Sequence, residues 1–306
     1  MAKEIGSSFH RYLIKDGVIA GFAYCESDED IHYLLHPQDR ETGIHYRLLP
    51  LTRSIISGLA DPDLAERNVS LIDQHLSFPD GIRLMDRPAR YSGGVSKMFR
   101  RAEQAANVGR EISLQYVHAH IRYIEAMAKM GKSQRAWEAL FQVNPINIRE
   151  SVPNAVTRQS NVYFSSSDGD FKDRYEYQER FDLLRTGKID VKGGWRLYSS
   201  GPGIYLRQVV SNLLGIRDDA SALKIDPVLP LSLDGLRFEY QYCGKPITFV
   251  YHLSSTGKTV SEVSVNGETL AMTPIPNPYR PGGVRIEKDA LLKKLNDANE
   301  VHITLI

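Results

Sequence analysis

The residues best placed to do chemistry form a glycine-rich segment, Gly193-Gly194-Trp195-Arg196-Leu197-Tyr198-Ser199-Ser200-Gly201-Pro202-Gly203. It runs into an apolar stretch, Ile204 to Leu214, that reads as a buried helix, with Ser200 as cap and Pro202 in the first turn. Unpaired backbone N–H groups at such an end, with the helix dipole behind them, favour an anion such as phosphate. An ordinary helix cap uses the same residue types, so spacing alone leaves both readings open.

Two long stretches, Phe78 to Gly109 and Ile148 to Gly201, show no hydrophobic period. Loops beyond about 15 residues without structure of their own are uncommon unless functional or disordered. The first stretch holds Arg83, Asp86, Arg87, Arg90, Arg100 and Arg101; the second holds Arg158, Gln159, Asn161, Tyr163, Asp168, Asp170 and Trp195. Aromatic rings among hydrogen-bonding side chains suit a sugar, which offers apolar C–H faces and a rim of hydroxyls. Solvated loop surface has the same composition. Other motifs fail. Gly131-Lys132-Ser133 and Gly257-Lys258-Thr259 resemble the end of a P-loop, but Ala126 and His252 occupy the leading glycine's place. Leu206 stands where a dinucleotide fingerprint beginning at Gly201 needs its third glycine. His118 and His120 lie about 200° apart on a helix and cannot share one metal without distortion, so one of them faces the core or a polar pocket.

The elements that must carry these residues fall into two textures. From about Ile44 to Leu214 the periodic stretches are helical. Leu64, Val69, Leu71, Ile72 and Leu76 form a stripe begun by Asp61-Pro62. The clearest helix runs from Glu111 to Met130, and Gly131 ends it. Ser133 then caps a second helix carrying Trp137, Leu140 and Phe141, stopped by Asn144-Pro145. After Gly215 the runs Leu236–Tyr242, Thr248–Leu253, Val260–Val265 and Val301–Ile306 read as strands of a small antiparallel β-domain. Asn266-Gly267 is a tight turn, and Asp218 to Pro230 is the join. The 306 residues give a prior of about two domains. Lys+Arg is 38 and Asp+Glu 37, which gives no bulk electrostatic attraction to nucleic acid or an anionic membrane. No apolar run approaches the roughly 20 residues of a membrane helix. Two cysteines, Cys25 and Cys243, build neither a disulfide framework nor a zinc site, and a cytoplasmic location is expected.

Several segments carry a resemblance. They are IHYRLLPLTRSIISGL from Ile44, DGIRLMDRPARYSGG from Asp80, REISLQYVHAHIRYIEAMAKMGK from Arg110, INIRESVPNAVTRQSNVYFSSSDGDFKDRYE from Ile146, KGGWRLYSSGPGIY from Lys192 and KIDPVLPLSLDGL from Lys224. In this order they resemble the C-terminal part of glycoside hydrolase family 94, the inverting glycoside phosphorylases, nearest its 1,2-β-oligoglucan branch. The resemblance implies part of an (α/α)₆ barrel over residues 1–217, followed by a C-terminal antiparallel β-sheet domain over 218–306. It implies attack of inorganic phosphate on a β-glucosidic anomeric carbon with release of α-glucose 1-phosphate. Phosphate is then a co-substrate, and no cofactor or metal is expected. One carboxylic acid suffices, to protonate the leaving oxygen.

Laid on this chain, the family's phosphate-binding Thr-Gly pair falls on Ser200 and Gly201, with Arg158 a further candidate. Its sugar-holding Glu-Pro-Tyr-Val-Tyr segment falls on Gln159-Ser160-Asn161-Val162-Tyr163, which makes Gln159, Asn161 and Tyr163 substrate candidates without the glutamate. Asp86, Arg87 and His118 complete the set of expected substrate contacts. The family's general acid lies in an Asp-Trp-x-Asp motif, which is absent here: the two tryptophans follow Ala136 and Gly194. The family pattern places that motif upstream of Met1, and Met1 through Lys15 reads as the tail of a barrel helix. No catalytic residue is therefore expected within the chain. The expectation is a C-terminal fragment, inactive alone, whose partners are oligosaccharide, phosphate, the missing N-terminal half of the enzyme and a possible second copy. Two alternatives are the matching module of a cyclic β-1,2-glucan synthase and a non-catalytic carbohydrate-binding remnant.

Overall fold

The structure is a computed structural model that describes residues 2–27, 30–90, 115–156, 164–195, 200–255, 257 and 259–306. Contacts divide the chain into two units, residues 1–126 with 138–204, and residues 127–137 with 205–306.

The first unit mixes helices with short sheets. It opens with α1 (Ala2–Tyr12) and two hairpins, β1 (Ile14–Lys15) with β2 (Val18–Ile19) and β3 (Phe22–Ser27) with β4 (Asp30–Leu34). The helix expected from Met1 to Lys15 is thus shorter. Met1 lies outside the described residues, and the helix stops at Tyr12. Its end is set by the turn that follows: Asp16 and Gly17, at φ +53° and +71°, form a left-handed pair that folds Ile14-Lys15 back onto Val18-Ile19.

Two helices follow, α2 (Leu48–Ser57) and α3 (Pro62–His75). The predicted start of α3 is observed: the Asp61 side chain accepts the N–H of Leu64, satisfying one of the donors a helix leaves free at that end. Ala65, Val69 and Ile72 are buried, while Leu64 is only half-buried and Leu71 is partly open. The hairpin β5 (Ser77–Phe78) with β6 (Gly81–Ile82) leads into a segment ending at Asp86.

The helix expected from Glu111 begins later. Gln115 and Tyr116 form strand β7, and the helix α4 spans Val117–Lys129; residues 111–114 lie outside the described residues. Tertiary pairing overrides the helical period here, because Gln115 and Tyr116 pair with Ser167 and Ser166 some fifty residues away. Gly131, at φ +72°, ends the helical run after Met130 as expected. The helix α5 (Ser133–Phe141) follows at once.

The second period-free stretch is also not structureless. It holds the short helix α6 (Ile148–Ser151), β8 (Ala155–Val156), β9 (Phe164–Gly169), α7 (Arg174–Arg180) and β10 (Val191–Trp195). These strands form one sheet with β7 in the order β7-β9-β10-β8. The helix α8 spans Ser200–Arg207, so Ser200 lies in its first turn, and it passes into π-helical geometry over Gln208–Leu213. That segment is the buried helix expected only in its second half: Leu206 is 60% exposed, whereas Gln208, Leu213 and Leu214 are buried.

The second unit holds two sheets. Strands β11 (Ile216–Asp219), β12 (Ala222–Ile225), β17 (Thr273–Pro274) and β18 (Val284–Glu287) make the order β11-β12-β18-β17. Strands β13 (Arg237–Tyr242), β14 (Lys245–Leu253), β15 (Val260–Val265), β16 (Glu268–Thr269) and β19 (Asn299–Leu305) make β13-β14-β19-β15-β16. Ile225, Leu223 and Ile286 of the first sheet and Phe249, Tyr251, Val263 and Ile303 of the second share one core. The expected join at 218–230 is thus partly a β-hairpin. The sheet is also mixed rather than wholly antiparallel, because β14 and β19 run parallel from Ile247↔Asn299 to Leu253↔Leu305. The long connection between them, which carries β15 to β18, makes that crossover possible. Asn266 and Gly267, at φ +50° and +85°, supply the left-handed pair that a two-residue hairpin turn needs.

Candidate functional site

Three strand ends of the first unit lie together. In the pairing of β9 with β10, Phe164 lies opposite Trp195, so the start of β9 and the end of β10 are at the same end of the sheet. The strand β7 runs antiparallel to β9 and ends at Tyr116, opposite Ser166, two residues from that same end. The strand β8 runs parallel to β10 but ends at Val156, opposite Lys192 near the start of β10. The shared end of β7, β9 and β10 therefore gathers the start of α4, the first residues of β9 and the last residues of β10. His118 follows Tyr116 by two residues, and Ser200 follows Trp195 by five. Arg158, Gln159, Asn161 and Tyr163 fall between β8 and β9 and lie outside the described residues. For Ser200 and Gly201 the structure describes only the helical backbone.

The two histidines of α4 divide as their angular separation requires. His120 is fully buried. Its Nδ1 accepts the Ile82 N–H at 3.0 Å, and its Nε2 lies 2.7 Å from the carbonyl oxygen of Ala139. The first bond makes Nδ1 the acceptor, so Nε2 carries the proton and donates to Ala139. Burial pushes its pKa down to about 4, against smaller opposing contributions from the Ala139 carbonyl and Asp80. The imidazole is a neutral pin between the β5–β6 hairpin and the helices. Both of its nitrogens are committed, so no metal uses it. His118, by contrast, is half-buried beside Arg122, and its pKa is lowered first by burial and then by Arg122 and Arg53. It is a neutral ring able to donate or accept at the sheet end.

A second group of side chains surrounds Asp86. This carboxylate is 5% exposed; Oδ1 accepts the N–H of His45 at 2.9 Å and of Tyr46 at 3.0 Å, and Oδ2 accepts Arg87 Nε at 2.9 Å. Among the described residues Arg87 makes this one side-chain contact, and it is half-exposed. The Tyr46 ring stacks on His75 at 3.9 Å with planes 8° apart. Arg185 donates to the His75 carbonyl at 2.8 Å and lies over the Phe78 ring at 4.2 Å. Burial lowers the His75 pKa, Asp86 opposes this, and Arg185, Arg87 and His45 reinforce it. The Tyr46 hydroxyl is raised by burial and by Asp86, with Arg87 opposing. The result is two half-open cations beside a flat pair of neutral rings on a buried carboxylate, which is able to stack a sugar and bond its hydroxyls or an anion.

Sequence reasoning singled out Asp86 and Arg87 but missed Tyr46, His75 and Arg185. No spacing rule connects positions 46, 75 and 185; only the fold does. Arg83, grouped with the polar residues of the first stretch, faces inward instead. It is fully buried, bonded to Asp80 at 2.9 Å and lies over the Phe78 ring at 4.9 Å, where it fixes the hairpin. One backbone segment serves both groups, since Ile82 bonds His120 and Asp86 ends the same run. No side-chain contact among the described residues joins Asp86 or Arg87 to His118.

Residues 215–304 match the family described as the glycoside phosphorylase C-terminal domain. Over 96% of its length the chain is also 51% identical to the 1,2-β-oligoglucan phosphorylase of Listeria innocua, of which it covers 27%. It is 23% identical over 90% of its length to a cellobionic acid phosphorylase of Neurospora crassa, covering 31% of that protein. A shorter match, 27% identical over 44% of the chain, is to the cyclic β-(1,2)-glucan synthase of Rhizobium meliloti, and covers 4% of it. The chain thus resembles the C-terminal part of a glycoside phosphorylase and spans about a quarter to a third of the phosphorylases named. Among the described residues no helix is long and apolar enough to cross a membrane.

Proposed function

We propose that this chain is the C-terminal part of an enzyme that reversibly phosphorolyses β-1,2-linked glucooligosaccharides, releasing α-glucose 1-phosphate with inversion. The observation that carries the reading is the 51% identity to a 1,2-β-oligoglucan phosphorylase over nearly the whole chain. The shared end of β7, β9 and β10, which His118 follows by two residues and Ser200 by five, supports it, because phosphate and sugar must meet at one point. In this reading Ser200 and Gly201 offer hydroxyl and backbone N–H groups to phosphate, aided by Arg158. Gln159, Asn161, Tyr163, Asp86, Arg87 and His118 hold the sugar. The helices of residues 1–217 contribute to an (α/α)₆ barrel, and residues 218–306 form the C-terminal β-domain. Phosphate serves as co-substrate and no other cofactor takes part.

In the same reading the general acid is not among these 306 residues, because no Asp-Trp-x-Asp motif occurs in them. It belongs to the part of the enzyme's length that this chain does not span. Without proton delivery to the leaving oxygen, a loss of about 10²–10⁴-fold or more is expected. The purified chain incubated with β-1,2-glucooligosaccharide and phosphate is expected to release no glucose 1-phosphate above background. Clear release would show that an acid within these residues does the work. The match to a cyclic β-(1,2)-glucan synthase keeps a module of that kind as the second reading, but it spans under half of this chain.

A further inference from the structure

The C-terminal unit carries a groove of about 690 Å³ on the face of the β13-β14-β19 sheet turned away from its core, a size typical of small-molecule sites. Strand register sets its floor. Glu239 lies opposite Thr248, and Thr248 opposite Glu300, so three hydrogen-bonding side chains form one row across three strands. At the usual strand spacing the row spans about 10 Å, close to the length of a disaccharide. Gln241 lines the same groove from the exposed edge strand β13. The side chains of Glu239, Gln241 and Thr248 have no hydrogen-bond partner among the described residues, so their donors and acceptors are available.

One wall is held rigid. His252 and His302 lie with ring nitrogens 2.8 Å apart and planes within 6°. The other nitrogen of His302 is 3.4 Å from Glu300, which also pairs with Arg237. The row is therefore preorganised, and the guanidinium of Arg237 beside it is already committed to Glu300. With two carboxylates and no unpaired cation on its floor, the groove disfavours phosphate or a sugar phosphate. It suits a neutral polyol that donates to carboxylates and exchanges bonds with an amide and a hydroxyl.

We propose that this groove is a binding site for neutral β-glucooligosaccharide on the C-terminal β-domain, separate from the site gathered in the first unit. The choice of β-glucan rests on the phosphorylase reading. Such a site holds a long glucan on the protein while its end is processed, so it acts through effective concentration and needs no catalytic group.

The test is calorimetric titration of a β-1,2-linked glucotetraose into the 306-residue chain, the Glu239→Ala/Gln241→Ala double variant and Thr248→Val. All three positions lie on the open face, so thermal unfolding should be unchanged. The expected result is binding to the unaltered chain that weakens at least tenfold in the double variant and severalfold in Thr248→Val, with no competition from inorganic phosphate. Undiminished affinity in both variants, or no binding to the unaltered chain, would overturn the proposal. Its failure is distinguishable from failure of the phosphorylase reading, which is decided by glucose 1-phosphate formation and uses none of these residues.

Discussion

His120 offers the sharpest test of how the first unit is held together. Its folded-state pKa of about 4 lies below the ordinary 6.5 because burial penalises the charged ring. Above pH 6.5 both folded and unfolded chains carry it neutral, and it adds no pH dependence. As pH falls from 6.5 toward 4, the unfolded chain takes up a proton that the folded chain refuses, so stability is lost across that window and levels off below it. The two pKa values differ by about 2.5 pH units, worth about 3.4 kcal/mol when fully expressed, of which about 2.5 kcal/mol is lost between pH 7 and 4.5. The perturbation is His120→Leu, assayed by urea unfolding at both pH values beside the unaltered chain. The variant should be weaker at pH 7, because the Ile82 N–H and Ala139 carbonyl lose their partner at about 1–3 kcal/mol each. It should lose less stability on acidification than the unaltered chain, by about 2.5 kcal/mol. In the unaltered chain the His120 Cε1–H resonance should titrate near 4. Equal pH slopes in the two proteins, or titration of His120 near 6.5, would refute the tautomer and the burial argument together.

Two further predictions concern positions of the backbone. Asp86→Ala orphans the N–H groups of His45 and Tyr46 and frees Arg87, so a loss of about 2–4 kcal/mol is expected in thermal or urea unfolding. Asp86→Asn should lose less, since an amide oxygen still accepts from the backbone, and equal losses would argue against those bonds. Gly215→Ala meets two obstacles, φ +75° and a Cβ that would stand 2.2 Å from the Asp226 carbonyl carbon. It should cost more than the roughly 1 kcal/mol of an ordinary strained alanine, and a neutral result would contradict this chain path.

Much of the fold could be read from the residues where the signal is local. Asp61-Pro62 begins α3, Gly131 closes the α4 run and Asn266-Gly267 turns β15 into β16, because each depends on a cap or a φ value that few residue types satisfy. Asp16-Gly17 carries the same signal, and reading it would have ended α1 before Lys15. Where pairing is distant the reading failed. Phe164–Gly169 and Val191–Trp195 are strands rich in serine and glycine, with no alternation to mark them. They exist because partners far along the chain supply the ladder, and the same pairing turns Gln115-Tyr116 from expected helix into strand. The direction of β19 against β14 was equally hidden, since an alternating pattern is identical in parallel and antiparallel pairs. At the site, Asp86 and Arg87 were found from a polar segment, whereas Tyr46, His75 and Arg185 are neighbours only in three dimensions.

The central claim is that this chain supplies the phosphate- and sugar-binding part of a β-1,2-glucan phosphorylase. The most direct measurement replaces the matching segment of the Listeria innocua enzyme with this chain and follows glucose 1-phosphate release from β-1,2-glucooligosaccharide and phosphate by NMR. The account predicts the α-anomer from the chimera, and a rise of about tenfold or more in KM for phosphate in Ser200→Ala, the loss of one hydrogen bond to an anion. A folded chimera that makes no glucose 1-phosphate, or one whose phosphate KM is indifferent to Ser200, would contradict it.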